Sequence, residues 1–182
     1  MLTLEFDGLF RGAPQELHLG DNAGLMCYGW VILRDGVAIA RGHGGYARSE
    51  HASSNVAEYL GLIEGLEALL DMHGEDEWVL ICGDSKSVID QMEGTSNVSA
   101  ESIRPLHRRA TRLARRIKKL YWMWTPRGDN HKADALTRRA LQQIRADNEK
   151  YQAALHRLEV SRAQHTGGKL HPLLDLRMYQ SV

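Results

Sequence analysis

Residues 78–84 have the sequence Trp-Val-Leu-Ile-Cys-Gly-Asp, an apolar run that ends at a glycine and a carboxylate. A continuous apolar run of this length predicts a strand that is buried on both faces, as in a parallel sheet covered by helices. The acid at its end, Asp84, is therefore predicted to be almost buried. A carboxylate in that position needs a hydrogen-bonding partner or a metal ion.

Helical patterns flank this strand. Before it, apolar residues recur at helical spacing over Val56–Leu70, and Ser53 or Ser54 is a suitable N-cap. After it, we predict a short helix over residues 85–92 and an amphipathic helix over residues 101–120.

The rest of the C-terminal half continues the alternation of strands and helices. Leu120–Thr125 predicts a second parallel strand that ends at Pro126, and a long helix is predicted from residue 130 to about Val160. The segment from Ser161 onward has no periodicity and is expected to form a tail.

The first 50 residues predict three strands. Leu2–Phe10 is apolar around Asp7, and Gly24–Leu33 is rich in aromatic and β-branched residues. Asp35-Gly36 then separates this run from a third one, and Asp-Gly is a strong hairpin signal because both residues tolerate positive φ. The fold class is therefore α/β: a mixed five-stranded sheet, three antiparallel strands and then two parallel ones, with helices on both faces.

The composition excludes several classes of protein. The 182 residues include 23 Lys+Arg and 23 Asp+Glu, so the net charge of zero excludes a uniformly basic nucleic-acid coat. Two cysteines do not make a disulfide scaffold, and no Cys/His cluster indicates zinc. Because no signal peptide and no run of about 18 apolar residues is visible, we expect a cytoplasmic protein without membrane contact.

Four acids fall where such a sheet can bring them together. Asp7 lies in the first strand, Glu58 early in the first helix, Asp84 after a buried strand, and Asp134 early in the last helix. Sites in open α/β sheets form at the carboxyl ends of strands. Crowded carboxylates repel one another, and hard divalent cations such as Mg²⁺ usually supply the counter-charge. By spacing alone, solvated surface acids explain these residues equally well.

The motifs around these acids resemble those of type 1 ribonuclease H. They are FDG at 6–8, SSNVAEYLGL at 53–62, GDSKSV at 83–88 and NHKADAL at 130–136. Their order, spacing and context match over residues 1–145. The segment from Pro126 to Leu136, together with Gln91, is most similar to the compact archaeal and bacterial branch of the family.

The resemblance implies an endonuclease that uses two Mg²⁺ or Mn²⁺ ions to hydrolyse the RNA strand of an RNA–DNA hybrid, leaving 5′-phosphate and 3′-hydroxyl ends. The implied catalytic, metal-binding residues are Asp7, Glu58, Asp84 and Asp134. The implied substrate contacts are Gly8, Ser54, Asn55, Ser85, Gln91, Arg127 and Asn130. Among them, Ser54 and Asn55 fall where family members contact the 2′-hydroxyl, the group that distinguishes RNA from DNA.

Two positions depart from the family pattern. Many members carry a Gly-His pair in a loop before the last Asp, whereas this chain has Trp124 near that place. Arg127 as a stabilising charge or His131 as a proton carrier would substitute, although His131 is otherwise an ordinary exposed residue near a helix start. Glu5 replaces the usual apolar residue on the strand face of Asp7, and it is either an edge effect or a change to the metal site.

The predicted helix over residues 101–120 carries eight basic residues between positions 104 and 119 and no acid among them. Five of these share one helical face by their spacing: Arg104, Arg108, Arg112, Arg115 and Lys119. Such a run is either the solvated side of a helix or, as we favour in a chain of zero net charge, a phosphate-binding stripe.

We expect a catalytic domain over residues 1–147 and a helical extension with a tail over residues 148–182. The extension is either a longer terminal helix with a frayed end or a contact with a second copy or another protein. The residues that would make such a contact are Leu155, Leu158, Leu173 and Leu174. Two other functions stay open: a non-catalytic hybrid-binding module, and a metal nuclease of the same fold that acts on another duplex.

Overall fold

The computed structural model describes residues 1–180 and contains a six-stranded mixed sheet with helices on both faces. The strands are β1 (Leu2–Gly12), β2 (Gly24–Arg34), β3 (Val37–Arg48), β4 (Trp78–Gly83), β5 (Lys119–Trp124) and β6 (His171–Tyr179). The α-helices are α1 (Ser54–Asp71), α2 (Lys86–Glu93), α3 (Arg104–Ala114), α4 (His131–Ala146) and α5 (Asn148–Ala163).

The predicted arrangement of the first five strands is confirmed. The spatial order is β5-β4-β1-β2-β3-β6, with β1, β2 and β3 antiparallel and β4 and β5 parallel to β1. The β2–β3 hairpin turns at Asp35 and Gly36, which have φ values of 51° and 85° as the sequence predicted. This order places the strand before Asp84 next to the strand that contains Asp7.

Each face of the sheet has its own apolar core. On one face α1 packs against β1 and β2 residues such as Leu4 and Trp30, and on the other α4 packs through Leu141 and Ile144 against β2. The Ser53 side chain caps α1 by accepting a hydrogen bond from the Val56 N–H at 3.2 Å. The two cysteines are buried free thiols.

The C-terminal region differs from the prediction in two ways. The long helix expected from residue 130 to Val160 is interrupted at Asp147, whose side chain caps α5 by accepting a hydrogen bond from the Lys150 N–H at 3.0 Å. The segment expected as a tail forms β6, which pairs antiparallel with β3 and adds a sixth strand to the predicted five. Residues 181 and 182 of the predicted tail lie outside the described residues.

The leucines expected to meet a partner are used within the chain. Leu155 and Leu158 are 8% and 0% exposed in the core beneath α4 and α5, and Leu173 and Leu174 pack against the same core. Leu155 and Leu158 are therefore not accessible to a partner, and a dimer or protein contact through other residues after 148 stays a prediction. The domain boundary after residue 147, which coincides with the break between α4 and α5, stays a prediction.

The basic helix is shorter than predicted. It ends at Ala114, so Arg115 is its C-cap residue and Lys119 belongs to β5, where its Nζ lies 5.2 Å from the centre of the Trp78 ring. The stripe of five residues on one helical face is therefore wrong at Lys119, because the chain leaves the helix before reaching it.

Within residues 1–180, no helix combines the length and the hydrophobicity that crossing a bilayer requires.

Candidate metal centre

Close contact between α1 and β1 brings the first two carboxylates together. The helix crosses the strand at Gly8, where an added Cβ would collide with the main chain of Ala57 and Glu58. Glu58, on the second turn of α1, is thereby held beside Asp7 of β1. β4 is the parallel neighbour of β1, and Phe6 is paired with Gly83. Asp84, which follows Gly83, therefore lies next to Asp7 at the carboxyl end of β4. Carboxylate oxygens of Asp7, Glu58 and Asp84 all lie within 4.8 Å of one another.

Helix α4 closes the opposite side of Asp7. Gly29 is the cross-strand partner of Asp7, and an added Cβ there would collide with the main chain of Ala133 and Thr137. The Thr137 hydroxyl is fully buried, donates to the Ala133 carbonyl at 2.9 Å, and is also within reach of the Asp7 carboxylate. The sequence analysis did not single out Thr137, although its position three residues after Asp134 places it on the same face of α4.

The carboxylates of this cluster are buried with little counter-charge. Asp7 and Glu58 are 2% and 9% exposed, and the Asp84 side chain is 8% exposed. Burial raises the pKa of Asp7 to about 6, and the charges of Asp84 and Asp134 also raise it. Burial and then the charges of Asp7 and Asp84 raise the pKa of Glu58 well above its usual value. Burial likewise raises the pKa of Asp84, against the opposing charge of Arg127.

This donor set fits a hard divalent cation. Three carboxylates converge, and Oε2 of Glu58 is buried without a hydrogen-bond partner. An ion with oxygen ligands would relieve their mutual repulsion, and Mg²⁺ characteristically binds few protein carboxylates together with water and substrate phosphate. Asp7, Glu58 and Asp84 are therefore the residues that would hold the ion.

The fourth predicted acid, Asp134, lies beside this cluster rather than within it. Its carboxylate accepts a hydrogen bond from Nε of Arg138, one turn later in α4, at 2.8 Å. Its charge still raises the pKa values of Asp7 and Asp84. Its role as a metal ligand stays a prediction.

An open cleft of about 380 Å³ lies over the carboxylates. Five of the seven predicted substrate contacts line it: Gly8, Ser54, Asn55, Ser85 and Arg127. Asn55 Oδ1 is buried without a hydrogen-bond partner, and Ser85 begins α2 without making a side-chain capping bond. Arg127 is 70% exposed at its side chain and places Nε 3.9 Å from Oδ2 of Asp84. These polar side chains border the open cleft.

The other two predicted substrate contacts make hydrogen bonds within the protein, and their contact with substrate stays a prediction. Asn130 is 1% exposed, and its Nδ2 donates to the Phe6 carbonyl at 2.8 Å, which fastens the start of α4 to β1. Gln91 accepts a hydrogen bond from Tyr59 Oη at 2.8 Å, which ties α2 to α1. Neither side chain lines the cleft.

The departures from the family pattern also have positions in the structure. His131 is exposed at the first position of α4. Glu5 forms an ion pair with Lys132 at 3.8 Å and does not belong to the three-carboxylate cluster. Trp124 donates its indole Nε1–H to the Asp84 carbonyl at 3.0 Å, a contact that sequence analysis did not predict.

A ribonuclease H-like α/β domain is defined by three features: the strand order, the helix that crosses β1, and the acids grouped at the carboxyl end of β4. Residues 22–140 match the family described as "Reverse transcriptase-like". The chain belongs to this family and, within it, to the type 1 ribonuclease H group.

Similar proteins include two curated relatives and their solved domains. A bifunctional protein of Mycobacterium tuberculosis is 31% identical over 140 residues, 77% of this chain and 35% of that protein. Ribonuclease HI of Halobacterium salinarum is 34% identical over 137 residues, 75% of this chain and 62% of that protein. This chain therefore spans less than two thirds of the length of either relative.

Two solved structures share the fold over nearly their whole length. RNase H1 of Halobacterium salinarum gives a TM-score of 0.65 at 32% identity, covering 78% of this chain and 98% of that chain. LC11-RNase H1, solved in complex with an RNA/DNA hybrid, gives a TM-score of 0.68 at 26% identity, covering 79% of this chain and 99% of that chain.

Proposed function

We propose that this protein hydrolyses the RNA strand of RNA–DNA hybrids in a reaction that depends on divalent metal ions. The observation that carries the proposal is the cluster of Asp7, Glu58 and Asp84, buried together at the base of an open cleft. Holding three carboxylates at this spacing is unfavourable without a cation, so a structural role does not explain them. The hybrid bound to LC11-RNase H1 supports the choice of substrate.

We assign separate roles to the residues in and beneath the cleft. Asp7, Glu58 and Asp84, with Asp134 beside them, hold the ions. Two Mg²⁺ or Mn²⁺ ions held there would supply water activation and charge stabilisation at the departing 3′-oxygen, and the products would carry 5′-phosphate and 3′-hydroxyl ends. Arg127 offsets the charge of the scissile phosphate, and Ser54 and Asn55 contact 2′-hydroxyls of the RNA strand.

Two further contacts belong to the proposal. Arg104, Arg108 and Arg112 are exposed on α3, and we assign them to phosphates of the hybrid, where they add affinity without sequence preference. His131, exposed at the start of α4, is the candidate proton carrier. The expected cytoplasmic location stays a prediction.

The test is a cleavage assay on three end-labelled duplexes in Mg²⁺: an RNA–DNA hybrid, double-stranded RNA and double-stranded DNA. We expect the wild type to cut the RNA strand of the hybrid, and Asp7→Asn to lose this activity while still binding the hybrid. Equal rates on double-stranded DNA would contradict hybrid specificity. Hybrid binding by the wild type without cleavage would instead favour a non-catalytic module.

A further inference from the structure

Asp84 has less regular main-chain support than the other two carboxylates of the cluster. Asp7 lies inside β1 and is paired with β2, and Glu58 lies inside α1. By contrast, β4 ends at Gly83 and α2 begins at Lys86, so Asp84 stands between two regular elements. Its position at the cleft must therefore be fixed by contacts from elsewhere.

Trp124 supplies such a contact. It is the last residue of β5 and is paired with Gly83 of β4. The Thr125 N–H donates to the Gly83 carbonyl at 3.0 Å, and one residue further on the Trp124 indole Nε1–H donates to the Asp84 carbonyl, also at 3.0 Å. The indole thus extends the hydrogen bonding between β4 and β5 to Asp84.

Hydrophobic packing does not explain this tryptophan. Trp122, on the same face of β5, packs against the main core, whereas Trp124 lies beyond that core and is 47% exposed. An aromatic side chain gains stability mainly by removing its surface from water, and Trp124 leaves about half of that surface exposed. The polar end of the indole is the part with a specific partner.

We propose that Trp124 is a positioning residue of the metal centre, whose indole N–H fixes the main chain of Asp84 so that its carboxylate points at the bound ion. This inference rests on the proposed metal-dependent function. Hydrogen bonds to the side chains of metal ligands typically change metal affinity or activity by about 10–100-fold, and for this main-chain contact we expect the lower end of that range. Removing the N–H is therefore expected to weaken divalent-ion binding while leaving the fold intact.

The first test measures Mn²⁺ affinity by calorimetry, without substrate, for the wild type, Trp124→Phe, Asp84→Asn and Trp78→Phe. Trp78 is a matched control because it is 50% exposed and begins β4, at the opposite end from Asp84. We expect Asp84→Asn to lose binding, Trp124→Phe to bind about tenfold more weakly, and Trp78→Phe to match the wild type.

The outcomes separate this inference from the proposed function. If the wild type and Asp84→Asn bind Mn²⁺ equally, the proposed metal site fails. If Asp84→Asn loses binding but Trp124→Phe binds like the wild type, the positioning role fails and the metal site stands.

A second test uses the wild-type protein and does not depend on whether Trp124→Phe folds. The four tryptophans give four indole N–H signals in a ¹⁵N–¹H spectrum, which Trp→Phe variants at the other three positions assign by exclusion. During a Mg²⁺ titration, the Trp124 signal should shift with the midpoint of ion binding while the Trp78 signal stays still. A Trp124 signal that does not move as Mg²⁺ binds would overturn the proposal.

Discussion

Helix α1 contains two buried glutamates, Glu58 and Glu64, which differ in whether the protein provides a counter-charge for them. Glu58 is 9% exposed, shares its surroundings with two other acids and has an unpartnered Oε2. Glu64 is 3% exposed, but it accepts hydrogen bonds from Tyr46 Oη at 2.8 Å and from Arg177 Nη2 at 2.7 Å. A buried carboxylate needs a counter-charge, which the chain supplies at Glu64 and leaves to the solution at Glu58.

The comparison also explains why β6 docks on the sheet. Its Arg177 lies over the acidic side of α1, 3.6 Å from Glu67 and 3.3 Å from Asp71, in addition to its pair with Glu64. Burial raises the pKa of Glu64, and Tyr46 and Arg177 oppose that effect. At Glu58 the neighbouring acids reinforce the effect of burial. A paired buried acid thus stabilises the fold, and an unpaired cluster marks the functional site.

Neutralising each glutamate in turn is the strongest way to break this comparison. We expect Glu58→Gln to lower kcat for hybrid cleavage by about 10³-fold, because several kcal/mol of metal-ion stabilisation are lost and each ~1.4 kcal/mol is a factor of ten. Glu64→Gln, on the same helix, should keep kcat within a few-fold. Cleavage of a labelled hybrid at saturating Mg²⁺ measures both, and equal losses would remove the distinction.

Removing the internal counter-charge should act on stability instead. Arg177→Gln leaves Glu64 buried without its counter-charge, although the Tyr46 hydrogen bond remains, so we expect a loss of about 3 kcal/mol in the free energy of unfolding by urea. The control is Arg162→Gln at the exposed pair with Glu50, which should change stability by less than about 1 kcal/mol. Adding Glu64→Gln to Arg177→Gln should recover most of the loss. The account of β6 is contradicted if Arg177→Gln is no more destabilising than the control.

The cluster should make the metal-free protein less stable as pH rises. The pKa of Asp7 in the folded protein, about 6, lies above its value in the unfolded chain. The free energy of unfolding should therefore fall between about pH 4 and pH 6, as Asp7 ionises, and stay at the lower value above pH 6. In EDTA, Asp7→Asn should therefore be more stable than the wild type by about 2–3 kcal/mol at pH 8 and equal to it near pH 4.

Urea unfolding across this pH range measures the difference, with the exposed Asp35→Asn as control. Mg²⁺ should then stabilise the wild type more than Asp7→Asn, because the ion binds the folded state. A stability difference that does not change with pH would show that Asp7 is not held in this unfavourable environment.

The smallest expected effect concerns surface charge away from the cluster. In an Asp7→Asn background, Arg108→Glu/Arg112→Glu should bind the hybrid about tenfold more weakly. The plot of log association constant against log[salt] should become less steep by about 0.9 for each lost phosphate contact. The matched control, Arg145→Glu/Arg157→Glu, reverses two exposed arginines on α4 and α5. Equal salt slopes for the two double variants would show that the α3 arginines do not contact phosphates and are only a solvated helix face.

Features with strong local signals could be predicted from the sequence. The strand before Asp84, the Asp35-Gly36 turn and the Ser53 cap each depend on neighbouring residues, and each is found as expected. The burial of that strand is incomplete, because Trp78 at its start is 50% exposed. The three-carboxylate cluster follows from the strand order together with the family motifs.

Features set by distant contacts could not be predicted. In β6, Leu174, Leu176 and Met178 alternate with Asp175 and Arg177, a strand pattern that our sequence analysis missed. Its position could not be predicted, because the strand is held by main-chain pairing with β3 and by Arg177, which contacts residues of α1 more than 100 positions earlier in the chain. Asn130 and Gln91 gave no sequence signal for their partners, Phe6 and Tyr59, because tertiary packing alone brings these groups together. The same holds for Trp124 and the Asp84 carbonyl.

The most direct test of the central claim is an anomalous-scattering map from a crystal soaked in Mn²⁺. We expect manganese peaks between the carboxylates of Asp7, Glu58 and Asp84, and none beside Glu64, whose counter-charge is Arg177. Ordered carboxylates with no manganese between them, or a peak beside Glu64 instead, would contradict the account.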